Sequence, residues 1–319
     1  MAEPSDRRFL VGYALSPKKQ QSFIRPSLVR TARDRGVDLV PIDPWRPLAE
    51  QGPFDCVIHK LYSKDWRFQL ADFAAKNPGV PIVDQPLADI ERLRNRITML
   101  QFVSGLNVPH GTETFGVPKQ MLVNSWRSVC SSMRTYLEFP VIAKPLFSDA
   151  SPKSHRMTLL FNRRAPMLGV QPPMVVQEFI NHRGVLFKVY VAGNYVQCVR
   201  RKSLPDVPPR RHHPVESLSF SRQCNTPLYE HLEGAELPPQ SFLEKIARGL
   251  RQATGLRLFN FDMIRDADAR DHYFIIDINY FPGYSKMPGY EEFVTNFLWD
   301  MVHEKGESDA GSSSFSATD

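Results

Sequence analysis

The chain has 319 residues, enough for two or three packed units around a sizeable core, and its 42% hydrophobic and 23% charged content is that of a globular protein. No apolar run approaches membrane-spanning length, and the opening MAEPSDRRFL lacks the apolar stretch of a secretory signal. A net charge of +6 attracts polyanions, but the basic residues are scattered rather than blocked, which argues against a nucleic-acid surface.

Phe9–Leu15 reads as a strand, followed by a helical stretch through about Arg35, with a break expected at Pro26 and a stop at Gly36. Strands are expected at Val37–Ile42, Phe54–His59 and Val80–Val83, with a helix near Trp66–Lys76 between the last two. Strands alternating with helices predict a parallel, doubly wound unit. No G-x-G-x-x-G follows the first strand, so dinucleotide binding gains no support. Lys18 and Lys19 follow the first strand and Lys60 the third. Ligands of open α/β sheets sit at the carboxyl ends of strands, so these lysines are either an anion pocket or ordinary surface charges.

Asp89–Ser104 predicts one amphipathic helix carrying Arg92, Arg94 and Arg96, and Asn107–Gly116 a linker. A new unit then opens with strand Gln120–Val123, a helix near Ser128–Leu137 and strand Phe139–Leu146. Lys144 lies inside that strand, where desolvation demands a counter-anion. Phe147–Met157 is a polar loop suited to folding over phosphates. Strands follow at Met157–Phe161, Met174–Ile180, Val185–Val191 and Asn194–Arg201, with Lys188 embedded in the third of them. Lys202–Gln240 has no periodicity, and its Arg210-Arg211-His212-His213 run reads as a solvated segment. Gln240–Thr254 is an amphipathic helix stopped by Gly255, and Gly289–His303 is a closing helix. The polar tail from Glu304 to Asp319 is expected to be disordered. The four cysteines (Cys56, Cys130, Cys198, Cys224) fit neither a zinc spacing nor a disulfide framework, which implies a reducing compartment, cytoplasmic or nuclear.

The most informative stretch is Leu258–Gly289, two strands joined by a turn near Asp268–Arg270. With the turn there, antiparallel pairing brings Asp262 close to Asp277, with Asn279 on the same face as Tyr273, Ile275 and Asp277. Facing carboxylates repel, and a divalent cation relieves the repulsion. Two Asp and one Asn form an oxygen set suited to Mg²⁺ that also holds phosphates. Buried-type lysines, a polar loop and this hairpin together describe an ATP-Mg²⁺ site between two sheets, since phosphoryl transfer needs positioning and charge neutralisation.

The segments GYALSPKKQQSF, VIHKLY, RLRNRITML, FPVIAKPL, KSHRM, VVQEFINHRGVLFKVYV, RKSLPD, LFNFDMIRD and IIDINYFPGYSKMPGYE occur in that order from Gly12 to about Val302. In them the chain closely resembles the ATP-grasp inositol-phosphate kinases of the inositol trisphosphate 5/6-kinase and tetrakisphosphate 1-kinase group, in particular the plant members. The resemblance implies an α/β fold of ATP-grasp type. Residues 1–106 would form an amino-terminal parallel-sheet domain, 107–182 and 183–303 two α+β units enclosing the nucleotide, and 304–319 the tail. It implies that Lys19 and Lys60 bind the inositol phosphate and that Arg96 and Lys144 contact nucleotide phosphates. Gln177, Glu178, Phe179 and Ile180, on to Lys188, would line the adenine and ribose, and Ser203 would touch the nucleotide. Lys188 and His155 would also reach the inositol phosphate and, with Asp277, serve catalysis. Asp262, Asp277 and Asn279 would ligate Mg²⁺, two ions in all, and Asn279 and Gly283 would border the substrate. A monomer acting on ATP and inositol polyphosphates, with no membrane or nucleic-acid partner, is the expectation, extending to pyrophosphate formation on the hexakisphosphate. Where the family carries D-G-x-x-K-S-H, this chain has Asp149-Ala150-Ser151-Pro152-Lys153-Ser154-His155, which restricts the backbone of the phosphate-covering loop. The alternatives are an inositol-polyphosphate-binding protein of reduced activity and an ATP-grasp ligase that activates a carboxylate.

Overall fold

In the computed structural model of the chain, residues 7–84, 87–106, 111–125, 136–148, 153–162, 170–207, 217–221 and 234–304 are described. The expected helix near Ser128–Leu137 falls mostly outside them, as do Ala150, Pro152, the Arg210–His213 run and the tail beyond Glu304.

The amino-terminal strands β1 (Phe9–Ala14), β2 (Val37–Pro41), β3 (Cys56–His59) and β4 (Ile82–Val83) form an all-parallel sheet in the order β2-β1-β3-β4. The predicted helical break is present, because prolines open both α1 (Pro17–Phe23) and α2 (Pro26–Asp34) at a position where no N–H is needed. Helix α3 (Lys64–Lys76) is capped by Ser63, whose hydroxyl accepts from Trp66 N.

The helix expected over Asp89–Ser104 is two helices, α4 (Leu87–Arg94) and α5 (Arg96–Ser104). Asn95 separates them: its side chain accepts from Ile97 N and Thr98 N, and its backbone bridges to Phe147. Apolar periodicity runs through the break, so the sequence pattern alone does not reveal it.

The linker expected at Asn107–Gly116 contains a strand, β5 (Thr114–Gly116), which pairs in parallel with the carboxy-terminal hairpin. Strands β6 (Gln120–Val123), β7 (Val141–Pro145), β8 (Arg156–Leu160) and β9 (Met174–Glu178) follow. The aperiodic stretch after Lys202 supplies a further strand, β12 (Ser217–Ser221), which pairs with β8 and completes a central sheet of order β12-β8-β7-β9-β6. Its Ser-Leu-Ser-Phe-Ser alternation is the period-2 signal that the surrounding prolines and arginines obscure.

The third sheet, β11-β10-β13-β14-β5, contains β10 (Val185–Ala192), β11 (Tyr195–Lys202), β13 (Leu258–Arg265) and β14 (His272–Tyr280). Helix α6 (Gln240–Thr254) ends where Gly255 adopts φ 65°, a left-handed cap open to glycine without steric cost. Helix α7 (Tyr290–His303) closes the described chain. One apolar core runs from β1, α2 and β3 through α5 to β10, β13, β14, α6 and α7, while the central sheet packs around separate clusters.

Candidate active site

The hairpin β13–β14 forms as expected, with Asp262 opposite Asp277 and Asn260 opposite Asn279. The faces differ from the simple alternation. Register shifts between Asp262 and Met263, so that Met263 pairs with Ile275 and Ile276 is an extra, bulged residue. Tyr273 and Ile275 therefore share the buried side with Ile278 and Tyr280, whereas Ile276 and Asp277 both line the cleft.

The carboxylates do not face each other uncompensated. Lys188 Nζ donates to Asp262 Oδ1 at 2.6 Å, and an Arg96 Nη1 lies 3.4 Å from Asp277 Oδ1. Burial works against the charge on Lys188, but Asp262 outweighs it and the ammonium pKa is raised. Asn279 donates through Nδ2 to Asp277 Oδ2 at 2.8 Å. The repulsion that pointed to a metal is thus relieved by the chain's own cations. Among the described residues no group of three or more His, Cys, Asp or Glu stands together. Two carboxylates and one amide oxygen nevertheless fit a hard cation that draws its remaining ligands from phosphate and water.

Arg96 ties four elements together. Its Nε donates to Pro145 O and an Nη2 to Ser154 O, both at 3.1 Å, while Nη1 faces Asp277. The break at Asn95 makes this possible, since Arg96 N donates to Leu146 O and Ser148 N to Arg94 O. The helix joint is thereby docked onto the exit of β7. Lys144 on β7 is buried and donates to Gln177 Oε1 at 2.6 Å.

Two cavities meet here. The first spans about 780 Å³, solvent at its mouth included, between the central and carboxy-terminal sheets, and is lined by Arg96, Lys144, His155, Ser203, Asp262 and Asp277 together with apolar Ile142, Met157, Leu186, Leu204, Phe220 and Ile276. The second, about 740 Å³, is bordered by Lys60, Tyr62, Arg94, His155, Asn279 and Tyr280. Ser148 and His155 line both. The apolar lining was not identified from sequence, because isolated strand hydrophobes carry no sign of which sheet face they serve. Nothing in the sequence distinguishes Arg94 from a surface arginine, but beside the joint at Asn95 it borders the second cavity.

Of the linker residues, Gln177, Glu178, Phe179 and Ile180 support the first cavity without lining it among the described residues. Gln177 holds Lys144, Glu178 accepts from Glu138 N, and Phe179 packs with Leu159, Leu204 and Val207. Ile180 O accepts from His182 Nδ1 at 2.6 Å. Because a carbonyl can only accept, Nδ1 carries the proton. Burial lowers the His182 pKa, so the ring is neutral and Nε2 accepts from Ser203 Oγ at 2.7 Å. Ser203 therefore offers lone pairs to the cleft. Arg183, at φ 56°, donates N–H to Asp206 and its guanidinium to Ala267 O, which places its charge on the hairpin turn.

Lys19 and Lys60, forty-one positions apart in sequence, converge at the end of β14. Lys19 Nζ donates to Phe281 O at 3.0 Å and to Pro282 O at 2.5 Å. Lys60 Nζ donates to Tyr280 O and Phe281 O, both at 3.0 Å. Burial, with Lys60 beside it, lowers Lys19 to about 6, and burial lowers Lys60 to about 8. Two lysine side chains that share one carbonyl and give up protons this readily are poised for an anion, because a bound polyanion would favour their charged forms. Gly283 follows on an open side, where a side chain would have no neighbour within 4 Å of its Cβ.

Comparison with known proteins gives two matching family profiles: the inositol 1,3,4-trisphosphate 5/6-kinase pre-ATP-grasp domain over residues 10–89, and the ATP-grasp domain of the same name over residues 109–300. The chain is 54% identical to inositol-tetrakisphosphate 1-kinase 5 of Oryza sativa subsp. japonica, over 95% of this chain and 92% of that protein. It is 54% identical to inositol-tetrakisphosphate 1-kinase 1 of Zea mays, covering 96% and 94%, and 49% identical to inositol-tetrakisphosphate 1-kinase 1 of Arabidopsis thaliana, covering 96% and 99%. Among solved structures, a RimK-domain ATP-grasp protein of Sphaerobacter thermophilus superposes with TM-score 0.57 at 17% identity over 92% of this chain and 99% of that one. A D-alanine–D-alanine ligase of Bacillus anthracis gives 0.55 at 11%, over 93% and 97%. These two likenesses establish the ATP-grasp fold.

Proposed function

Because the chain belongs to the inositol 1,3,4-trisphosphate 5/6-kinase family and is an inositol-phosphate kinase, we propose that it transfers the γ-phosphate of ATP to a hydroxyl of an inositol polyphosphate. Tris- and tetrakisphosphates are the first candidates, with the hexakisphosphate as a pyrophosphate-forming extension. One observation carries this reading: two residues apart on β14, Asp277 borders the first cavity and Asn279 the second, and His155 borders both. A phosphoryl group passing from one cavity to the other would cross at these side chains.

In this reading ATP occupies the first cavity, its base among the apolar residues and its phosphates toward Lys144 and Arg96. Ser203, kept as an acceptor by His182, receives a donor from the nucleotide. The polyanion occupies the second cavity, where Lys60 exchanges its carbonyl partners for phosphate oxygens, with Lys19 beside it on the shared Phe281 carbonyl. Asp262, Asp277 and Asn279 would hold Mg²⁺, which when bound neutralises charge on the transferring phosphate. Lys188, held by Asp262, keeps a cation beside that point. Among the described residues no helix is long and apolar enough to cross a membrane. A cytoplasmic or nuclear monomer remains our proposal.

The test is incubation with ATP and Mg²⁺ and a panel of inositol phosphates, with products resolved by chromatography. The expected outcome is a more highly phosphorylated inositol together with ADP, and turnover reduced at least ~100-fold, or about 2.7 kcal/mol, in Asp277→Ala. Tight binding without product would favour the binding-protein alternative. ADP release that requires an amine acceptor would identify a ligase.

A further inference from the structure

Asn260 is wholly buried in β13, and neither its Oδ1 nor its Nδ2 has a hydrogen-bond partner among the described residues. Buried amides are almost always paired, because desolvating a donor and an acceptor without compensation opposes folding. An apolar side chain would fill the position without that cost, so packing alone does not explain the amide.

Its position in the sheet supplies a reason. Two cross-strand rows lie on the cleft face, one of Lys188, Asp262 and Asp277, the other of Tyr190, Asn260 and Asn279. In the first row every charge is met. In the second, Asn260 stands directly opposite Asn279, within the reach of a side-chain hydrogen bond across an antiparallel pair. Asn279 instead turns its Nδ2 to Asp277 Oδ2, which occupies a carboxylate oxygen that a cation would need.

We propose that Asn260 is the positioning residue of the cation site: its Oδ1 accepts the Asn279 amide N–H and so aims Asn279 Oδ1, and a freed Asp277 Oδ2, at a bound divalent ion. The proposal rests on the metal reading given above. Groups that orient metal ligands commonly govern affinity by 10- to 100-fold, and an orphan amide one strand behind a ligand is placed for that task.

The experiment titrates Mn²⁺ into the full-length protein, followed by water-proton relaxation, with and without a non-hydrolysable ATP analogue, beside metal-free thermal melting. Asn260→Leu is expected to weaken Mn²⁺ binding roughly 10-fold or more while the metal-free melting temperature stays the same or rises. Asn260→Asp keeps the accepting oxygen and is expected to retain affinity within about 3-fold, given that the oxygen and not the amide nitrogen does the work. Unchanged Mn²⁺ affinity in Asn260→Leu overturns the proposal, as does a lower metal-free melting temperature in that variant with Mn²⁺ binding intact. Loss of affinity in Asn260→Asp equal to that in Asn260→Leu also overturns it. If the parent binds no Mn²⁺ that Asp277→Ala abolishes, the metal reading fails first and the role of Asn260 falls with it.

Discussion

At the scale of single residues, the site is held by basic side chains in places that oppose their charge. Lys19 Nζ sits 4.0 Å from the centre of the Phe281 ring and shares a carbonyl with Lys60. Its pKa is about 6 folded against an ordinary 10.5, so the folded chain binds fewer protons over that window and gains stability as pH rises through it. Below that window the full cost of burying the ammonium is present. Lys19→Met should therefore raise the melting temperature of the ligand-free protein by roughly 2 °C near neutral pH, equivalent to ~1 kcal/mol. The gain should fade as the pH approaches 10.5. The same variant should raise KM for the inositol phosphate at least ~10-fold with little change in KM for ATP, a trade of stability against function. Melting curves across pH, read beside steady-state kinetics, check both halves; a less stable variant contradicts the poised-anion account. Lys144→Ala should show the opposite kinetic split, because that side chain meets Gln177 beneath the first cavity. Equal effects of both variants on ATP would end the division of labour.

At the scale of elements, small irregularities place the side chains. The bulge at Ile276 turns two consecutive residues to the cleft, and the joint at Asn95 directs Arg96 and Arg94 to different cavities. Asn95 caps α5 through its side chain, and loss of such a cap costs about 1 kcal/mol. Asn95→Ala should lower the melting temperature by roughly 2 °C. It should also raise KM for ATP several-fold, because Arg96 loses the joint that aims it between Pro145, Ser154 and Asp277. Asn95→Asp, which keeps the accepting oxygen, should restore both values. A variant that is destabilised but kinetically normal would reduce the joint to a structural role.

At the scale of the whole molecule, the amino-terminal sheet grips the carboxy-terminal hairpin at both ends. Lys19 and Lys60 hold the residues after β14, and Asp84, just past β4, accepts from Arg257 N at 2.6 Å and Leu258 N at 3.0 Å where β13 begins. Burial raises the Asp84 carboxyl to about 7 from an ordinary 3.8, against the pull of those two N–H groups. The folded chain then binds more protons than the unfolded one between these values, so this group's contribution to stability falls as pH rises from about 4 to about 7. Asp84→Asn should remove that slope, by an amount on the order of 1–3 kcal/mol across the window. Chemical denaturation of parent and variant at a series of pH values measures it, and parallel curves would show that Asp84 does not titrate there. Since a common core joins the amino-terminal and carboxy-terminal sheets, whereas the central sheet has its own, cleft closure is expected to move the central sheet.

What the sequence by itself determined were features encoded in local pattern. A turn near Asp268–Arg270 between FNFDMI and FIIDINY sufficed to bring Asp262 close to Asp277, although the bulge at Ile276 was not legible. The family segments sufficed to indicate an ATP-grasp kinase. Gly255 and the prolines of α1 and α2 marked their own boundaries, because backbone restriction is a property of a residue and its neighbours. Only the tertiary structure decided which partners the charges found. That Lys188 would neutralise Asp262, that Arg96 would reach Asp277 across 181 positions and that Lys19 and Lys60 would share one carbonyl depend on packing between distant segments. The strands β5 and β12 were hidden for the same reason: each is short, and each becomes a strand because a neighbouring sheet edge satisfies its backbone hydrogen bonds.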